Sequence, residues 1–533
     1  MIPAKQNEVF QYSPMFALSI LFHLLLVLLL LQIQFETPPE PALSGSNVIS
    51  VFFGDSEGPG EETVKGKPES TSKETSESEE TEESENPSEE AAPPVPSDSQ
   101  TKLTADTFDS SDAVASETFG VGSSLQTKQS FQALLKNNAT VHASNLTSQT
   151  STALSAKDVF SRRAPKGRQE GTSQNGGSSA TESAVEASLS WFSKHQSING
   201  SWDPVSFSER CHCSGKGYET YLQGLTGFVL LCYSGVGYTH QEGPYRREVK
   251  RALDFLLAQQ DASGRFGTTN MYNHAISLLA LAEIYALTKD SRLASPLRNA
   301  VTFGQNAQQA GGGWSYAANP QPSRNDTSIT GFMLMALVTC HISGIEVDTA
   351  IFRGIARHFE EMTDPDGSVI YADTGDNASR GGMGIVAIGL YSRLALGFSP
   401  QNNLSRKQTN LLLGNLPQWN KANDLNNSMY YWYYGSLATF LMGKSDFAQW
   451  NQSLQTTLLP HQQQTGHLKG SYDPDCKWGK HGGRLYSTAI NTLCLEIYYK
   501  YSPRYLQSLP EFKKLWEEEK KLQPWEKKIV GKR

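Results

Sequence analysis

Positive charge is the first shortage. The chain has 533 residues, with 46 Lys and Arg against 54 Asp and Glu, a formal charge of −8. The acid is concentrated. Asp55 to Glu90 holds 14 acidic and 3 basic residues, net −11, so the rest of the chain carries about +3. No large positive surface is left to neutralise phosphates, which excludes a strongly basic nucleic-acid binder. Long apolar runs are equally scarce. One stretch is apolar enough to span a bilayer, which excludes a polytopic membrane protein. Cysteine is sparse, at six residues. Apolar and aromatic residues are plentiful, at 38% and 10%, enough for a sizeable core.

Residues 1–13 read as a short cytoplasmic tail. Pro14 to Phe35, PMFALSILFHLLLVLLLLQIQF, follows as an expected transmembrane anchor. At helical rise, Met15 to Phe35 covers roughly 30 Å, about the hydrocarbon thickness. A cleaved signal peptide would have a shorter core and a small-residue cleavage site, and Pro41-Ala42-Leu43-Ser44-Gly45 is a weak one. This leader resembles the amino-terminal anchors of TonB-like envelope proteins, where one Leu-rich helix precedes an acidic, Pro-containing linker. The resemblance implies a single-pass protein of a bacterial inner membrane, its bulk on the periplasmic side. Residues 36–180 are rich in Ser, Thr, Glu, Pro and Gly. Such a segment cannot offset the entropy of ordering, so it reads as a disordered linker, extended by its like charges.

From about residue 181 two kinds of helical segment alternate. One kind is apolar nearly all round, as expected of helices buried on every side: Tyr218–Ser234, Met271–Leu287, Asp326–Ile342, Gly382–Leu396, Met429–Met442 and Arg484–Tyr499. The other is amphipathic: Ser183–Gln196, Arg246–Gln260, Pro296–Gln308, Thr349–Met362, Ser405–Leu416 and Phe447–Gln463. Each polar helix precedes a buried one. That order predicts an all-α double ring, closed on itself, with the buried set inside.

The joints repeat as well. Gln196 precedes Gly200-Ser-Trp202, Gln260 precedes Gly264-Arg-Phe266, and Gln308 precedes Gly312-Gly-Trp314. Asp364-Pro-Asp-Gly367 is a degenerate copy, and His461-Gln-Gln-Gln464 precedes Gly470-Ser-Tyr472. Gly supplies a tight turn, the aromatic packs between neighbouring helices, and Gln is expected to satisfy the last-turn carbonyls. These joints, with Arg251-Ala252 upstream of one of them, resemble the QW repeat of the prenyltransferase and squalene-cyclase family. The likeness covers roughly 181–502 and implies an (α/α)6 toroid with a central cavity. Segments such as NHAISLLALAEIYALT resemble a membrane-anchored bacterial branch of that family. Residues 503–533 read as a charged helical tail.

In that family the substrate enters where the inner helices begin. The resemblance therefore implies a lining of Tyr218, Thr220, Tyr272, His274, Asp326, Thr327, Arg380, Tyr430, Trp432, Tyr433, Arg484 and Tyr486. Aromatic walls suit an apolar chain or stacking sugars; they could equally fill the ring. The terpene cyclases of this fold start by protonating an alkene from Asp-x-Asp-Asp-Thr. Here the matching stretch is Ser323-Arg324-Asn325-Asp326-Thr327. An amide at the central position cannot donate such a proton. Asp326 survives as the best catalytic candidate, and is equally an ordinary helix cap.

The protein prenyltransferases use zinc held by Asp-x-Cys and a later His. That spacing is absent, because Asp475 and Cys476 are adjacent. No cofactor is expected. Zinc on Cys211, His212, Cys213 and Cys476 is the alternative, since ring closure would bring those loops together. A disulfide from Cys476 to Cys211 or Cys213 is the other use of the same residues. Cys232, Cys340 and Cys494 lie in buried helices and read as packing. The thioester motif of macroglobulin-type toroids, Gly-Cys-Gly-Glu-Gln, is missing, which excludes a covalent trap. The expectation is an anchored module that binds an apolar, glycan or protein ligand at the toroid mouth. The alternative is an isoprenoid-processing enzyme with a non-standard site.

Overall fold

The computed structural model describes residues 159–501, except 210, 268–269, 321 and 374–378. The expected anchor at 14–35, most of the linker and the tail at 503–533 lie outside the described residues. Among the described residues no helix is long and apolar enough to cross a membrane.

The alternation of helices is realised as two layers. The outer helices are α2 (Ser179–Lys194), α4 (Arg246–Ala258), α6 (Ser291–Asn306), α8 (Thr349–Glu361), α10 (Asn403–Leu413) and α12 (Lys444–Leu458). The inner helices are α3 (Leu222–Gly235), α5 (Met271–Thr288), α7 (Thr327–Ile342), α9 (Met383–Ala395), α11 (Met429–Met442) and α13 (Gly479–Leu495). Helix α4 shows why the outer set forms. It buries Val249, Ala252, Leu253, Phe255 and Leu256, one stripe at helical spacing, and leaves its charges to solvent. Helix α5 shows the inner logic. The Asn270 side chain caps the Asn273 N–H, and the helix ends where Lys289 turns left-handed. Between those ends it is buried on nearly every side.

Each inner helix packs on the next, from α3 to α5, α7, α9, α11 and α13, and α13 packs back on α3. The ring is therefore closed by its own contacts, with an outer helix against each inner one.

The joints hold neighbouring pairs through one repeated set of hydrogen bonds. Gln196 Nε2 donates to the Gly200 carbonyl at 2.8 Å and to the Glu248 carbonyl of α4 at 2.9 Å. Gln260 does the same to Gly264 at 3.0 Å and Pro296 of α6 at 2.9 Å. Gln308 reaches Gly312 at 2.9 Å and Ile351 of α8 at 3.0 Å. Gln462 reaches Gly470 at 3.1 Å and, across the closure, Ala184 of α2 at 2.7 Å. The glutamine thus ties its own turn to the next outer helix, instead of capping its own helix end. That end is served by the tryptophan: Trp202 Nε1 donates to Phe192 O and Trp314 Nε1 to Gly304 O, both at 2.8 Å. Glycine is required at each turn. At Gly312 φ is 88°, and a Cβ would lie 2.0 Å from the Gly354 carbonyl of the next outer helix.

The folded unit begins before residue 181. A short turn at Ser161–Arg163 and helix α1 (Pro165–Gln174) precede α2 and pack on α14 (Ile497–Lys500) after the last inner helix. Sequence PKGRQEGTSQ carries almost no apolar periodicity, so composition points to linker. Polar bonds hold it instead. Arg168 pairs with Glu182 at 2.5 Å and Glu186 at 3.0 Å, and Asn175 Nδ2 donates to Tyr498 O at 2.7 Å. Arg163 is buried and pairs with Glu283 at 2.7 Å. A two-stranded antiparallel ribbon, β1 (Ile370–Ala372) and β2 (Ser379–Arg380), lies beside the start of α7.

Candidate functional site: the ring axis, its mouth and a cysteine–histidine cluster

The inner helices bring aromatic rings together at the axis. Phe228 of α3, Tyr272 of α5, Phe332 of α7, Tyr391 of α9, Tyr434 of α11 and Tyr486 of α13 are all buried. Phe332 is the hub. Its centroid lies 5.7 Å from Phe228, 5.8 Å from Tyr272 and 5.4 Å from Tyr434. Phe228 meets Tyr486 at 6.3 Å, and Tyr434 meets Tyr391 at 5.9 Å. The contacts are edge-to-face, the favoured aromatic geometry. Helices α3 and α11 are not the ring neighbours of α7, so their contacts with Phe332 cross the interior and fill it at that level.

The mouth is built around Asp326. Its backbone forms bridges to Trp314 and Ala372, which set it just ahead of α7. It occupies the cap position, yet its side chain makes no capping bond. The carboxylate instead receives Arg324 Nη2 at 3.0 Å, Arg324 Nε at 3.1 and 3.2 Å, and Ser315 Oγ at 3.0 Å. Burial pushes its pKa up, against the pull of Arg324 and Ser315. A group raised in this way and bound to a guanidinium is a poor strong acid. The other positions of the degenerate acid motif are spent on structure. Asn325 Oδ1 accepts from Gly313 N at 2.8 Å, and its Nδ2 donates to Asp373 at 2.5 Å. Ser323 Oγ donates to Gln309 Oε1 at 3.0 Å. Thr327 Oγ1 donates to Ile370 O at 2.8 Å. Tyr316 and Tyr371, hydroxyl to hydroxyl at 2.5 Å, close over Tyr272.

The expected lining residues divide sharply. Tyr218 is 46% exposed. Thr220 is half-buried. Tyr272, Tyr430, Trp432, Tyr433 and Tyr486 are buried among other rings or helices. His274 is buried at a joint: its Nδ1 accepts from Phe266 N at 3.3 Å, where the other joints use Thr226, Thr330 and Thr488 hydroxyls. Burial holds its imidazole neutral, with a pKa pushed down to about 3. Arg484 is a closure residue. It donates to Ser214 O at 2.8 Å and Ser471 Oγ at 3.0 Å, and pairs with Asp473. Arg380 lies on β2.

All six cysteines are free thiols. Cys476 is buried beside Ser487 and the backbone of Trp478 and Gly479, so the expected Cys476 disulfide does not form. Of the residues expected to share a metal, His212 is exposed. The residues that do meet are His195, Cys211, Cys213 and His467, with all four ligand atoms within 4.8 Å of one another. His195 ends α2, and His467 lies on the turn before Tyr472. Neither histidine stands out in sequence, because each sits in an ordinary joint. At the opposite end of the ring, a half-open cleft of about 1160 Å³ lies between α1, α2 and the turn after α3, lined by Phe160, Arg163, Arg168, Glu182, Tyr238 and Leu287 among others.

No protein-family model and no curated protein matches the sequence. Among solved structures, an α-1,6-mannanase of Salegentibacter sp. HEL1_6 is similar with 11% identity and a TM-score of 0.44, over 60% of this chain and 99% of the mannanase in its mannotriose-bound inactive form. The type II terpene cyclase MstE of Scytonema gives 11% identity and a TM-score of 0.42, over 62% and 98% of the two chains. An α-amylase from Clostridium perfringens gives 10% and 0.41, over 60% and 98%. At such scores the likenesses assign no activity. The closed ring rests on its own helix contacts.

Proposed function

We propose that this chain is a single-pass envelope protein that displays its toroid as a binding module, with the mouth rim as the binding face. The observation that carries this reading is the aromatic cluster centred on Phe332, to which every inner helix contributes. A cavity enzyme needs an open chamber at the axis and convergent reactive groups. Here the axis holds rings at the level of Phe332, and the buried Asp326 carboxylate at the mouth is paired with Arg324. The rings that cross the interior at the level of Phe332 favour a polar partner, glycan or protein, at the rim over a long apolar ligand along the axis. Exposed Tyr218 at the first inner helix is the natural stacking residue for it. The segment at 14–35 would hold the module to the membrane, and the acidic linker would set its reach.

The test is incubation of the purified full chain with isoprenoid diphosphates, polyenes and cell-wall glycan fragments, read by mass spectrometry. No product is expected from any of them. Glycan or protein binding, where found, should weaken in Tyr218→Ala. Turnover of a polyene, or a polyene retained inside the ring, would overturn the reading.

A further inference from the structure

We propose that His195, Cys211, Cys213 and His467 bind one zinc ion that clamps the ring where its last repeat meets its first. The inference is independent of what the mouth binds.

The distances fit a metal better than they fit hydrogen bonds. Cys211 Sγ and Cys213 Sγ each lie 3.4 Å from His195 Nε2. In a tetrahedral site with Zn–S of about 2.3 Å and Zn–N of about 2.0–2.1 Å, sulfur and nitrogen ligands sit roughly 3.5 Å apart. A neutral imidazole nitrogen has a single lone pair, directed at one donor. Two sulfurs at equal range around it are what a shared cation would organise.

The histidine is already oriented for the task. His195 Nδ1 lies 2.7 Å from the Trp191 carbonyl, which can only accept. Nδ1 therefore carries the hydrogen, and the Nε2 lone pair faces the two sulfurs. A backbone carbonyl holding the far nitrogen of a ligating imidazole is the usual outer support of a zinc histidine. Trp191 also stacks on the His195 ring at 4.3 Å and fixes its plane. The His467 ring stands edge-on to it at 6.1 Å. His195 and Cys213 are buried, Cys211 is half-buried and His467 is exposed, so an ion can arrive from the His467 side.

The donor set selects the ion. Two thiolates and two imidazoles around a closed site suit Zn²⁺, and their two negative charges balance it. With four protein ligands there is no open position, so the role is structural. The ligands come from the end of α2, the loop before α3 and the turn before α13. Those segments become neighbours only when the ring closes, and a bond between them removes the entropy of a very long loop.

The experiment is metal analysis of the full chain, purified under reducing conditions without chelator. About one equivalent of zinc is expected, and cobalt replacement should give thiolate-to-cobalt charge-transfer and tetrahedral visible bands. Cys213→Ser should lose both. Because a buried substitution can unfold the chain, His467→Asn is the second variant: exposed, expected to keep the helical circular dichroism, and expected to weaken zinc affinity at least roughly tenfold. His212→Asn, on an exposed neighbour, should change nothing. Chelation should lower the Tm of the wild-type chain. Less than about a tenth of an equivalent with no cobalt spectrum, a Cys211–Cys213 disulfide, or zinc that persists in His467→Asn and Cys213→Ser would each overturn the site. Loss of zinc with no change in Tm would overturn the clamp.

Discussion

Two residues show how chemistry has been exchanged for structure. Asn325 is buried and sends its amide to Asp373. Asn325→Asp restores the central acid of the cyclase pattern but sets two carboxylates face to face. It is expected to lower stability by about 1–3 kcal/mol, from the lost donor and the repulsion, and to yield no cyclised product. A melting curve and a polyene incubation read both outcomes. Glu496 is the second. Burial pushes its carboxyl well up, and among the described residues neither oxygen has a hydrogen-bond partner, Lys500 lying 4.0 Å away. Burial alone would also raise Glu283, but Arg163 and Lys500 overcome it and hold that carboxyl at about 2. The two act in opposite directions on pH. Glu283 contributes stability above its ordinary pKa of 4.5, which is lost as pH falls toward 2. Glu496, its carboxyl raised by burial, contributes fully below its ordinary pKa of 4.5 and loses that contribution as pH rises. Glu496→Gln should therefore flatten the fall in Tm as pH rises above about 4.5, while leaving the acid limb in place. An unchanged alkaline limb would show that this carboxyl ionises freely.

Among the elements, the joints carry the sharpest expectations. Gln462 is buried and donates to two carbonyls and to Ser188 Oγ. Gln462→Ala should cost about 1–3 kcal/mol by leaving those acceptors unpaired. Gln260→Ala, at a wetter joint with two such bonds, should cost less by chemical denaturation. Gly312→Ala meets both a positive φ and the Gly354 carbonyl, and should be the more damaging change at its turn. The helices themselves were legible in sequence because periodicity and all-round apolarity are local signals. The expected segment Met429–Met442 is the observed α11, and the other inner helices differ at their ends. Helix α13 starts earlier than Arg484 because Gly483, at φ 64°, lets a preceding turn join it across a kink. The partners of the glutamines were not legible, since a carbonyl on the next outer helix has no sequence signature. Nor were β1 and β2, of three and two residues, or helix α1, which has no apolar pattern.

For the whole molecule, closure was readable from the sixfold alternation, but the chemistry of the seam was not. Cys211 and Cys213 were visible as candidates, whereas His195 and His467 look like the polar ends of joints. Only the ring brings them together. The mouth residues misled for a related reason: position along a helix gives depth, but not whether the rings from six directions leave space. A chain truncated to begin at about residue 181 loses the bonds of Arg168 and Asn175 and should melt at a lower temperature than the full chain. An equal melting temperature would show that α1 is dispensable.

Helix α1 lies against α14, so the first and last helices among the described residues meet at one corner of the ring. A force applied across that corner is resisted first by the polar bonds from Arg168 and Asn175. A permuted chain that splices the two termini and opens at an outer turn elsewhere should assemble the same wheel while moving that weak point to a place of the experimenter's choosing.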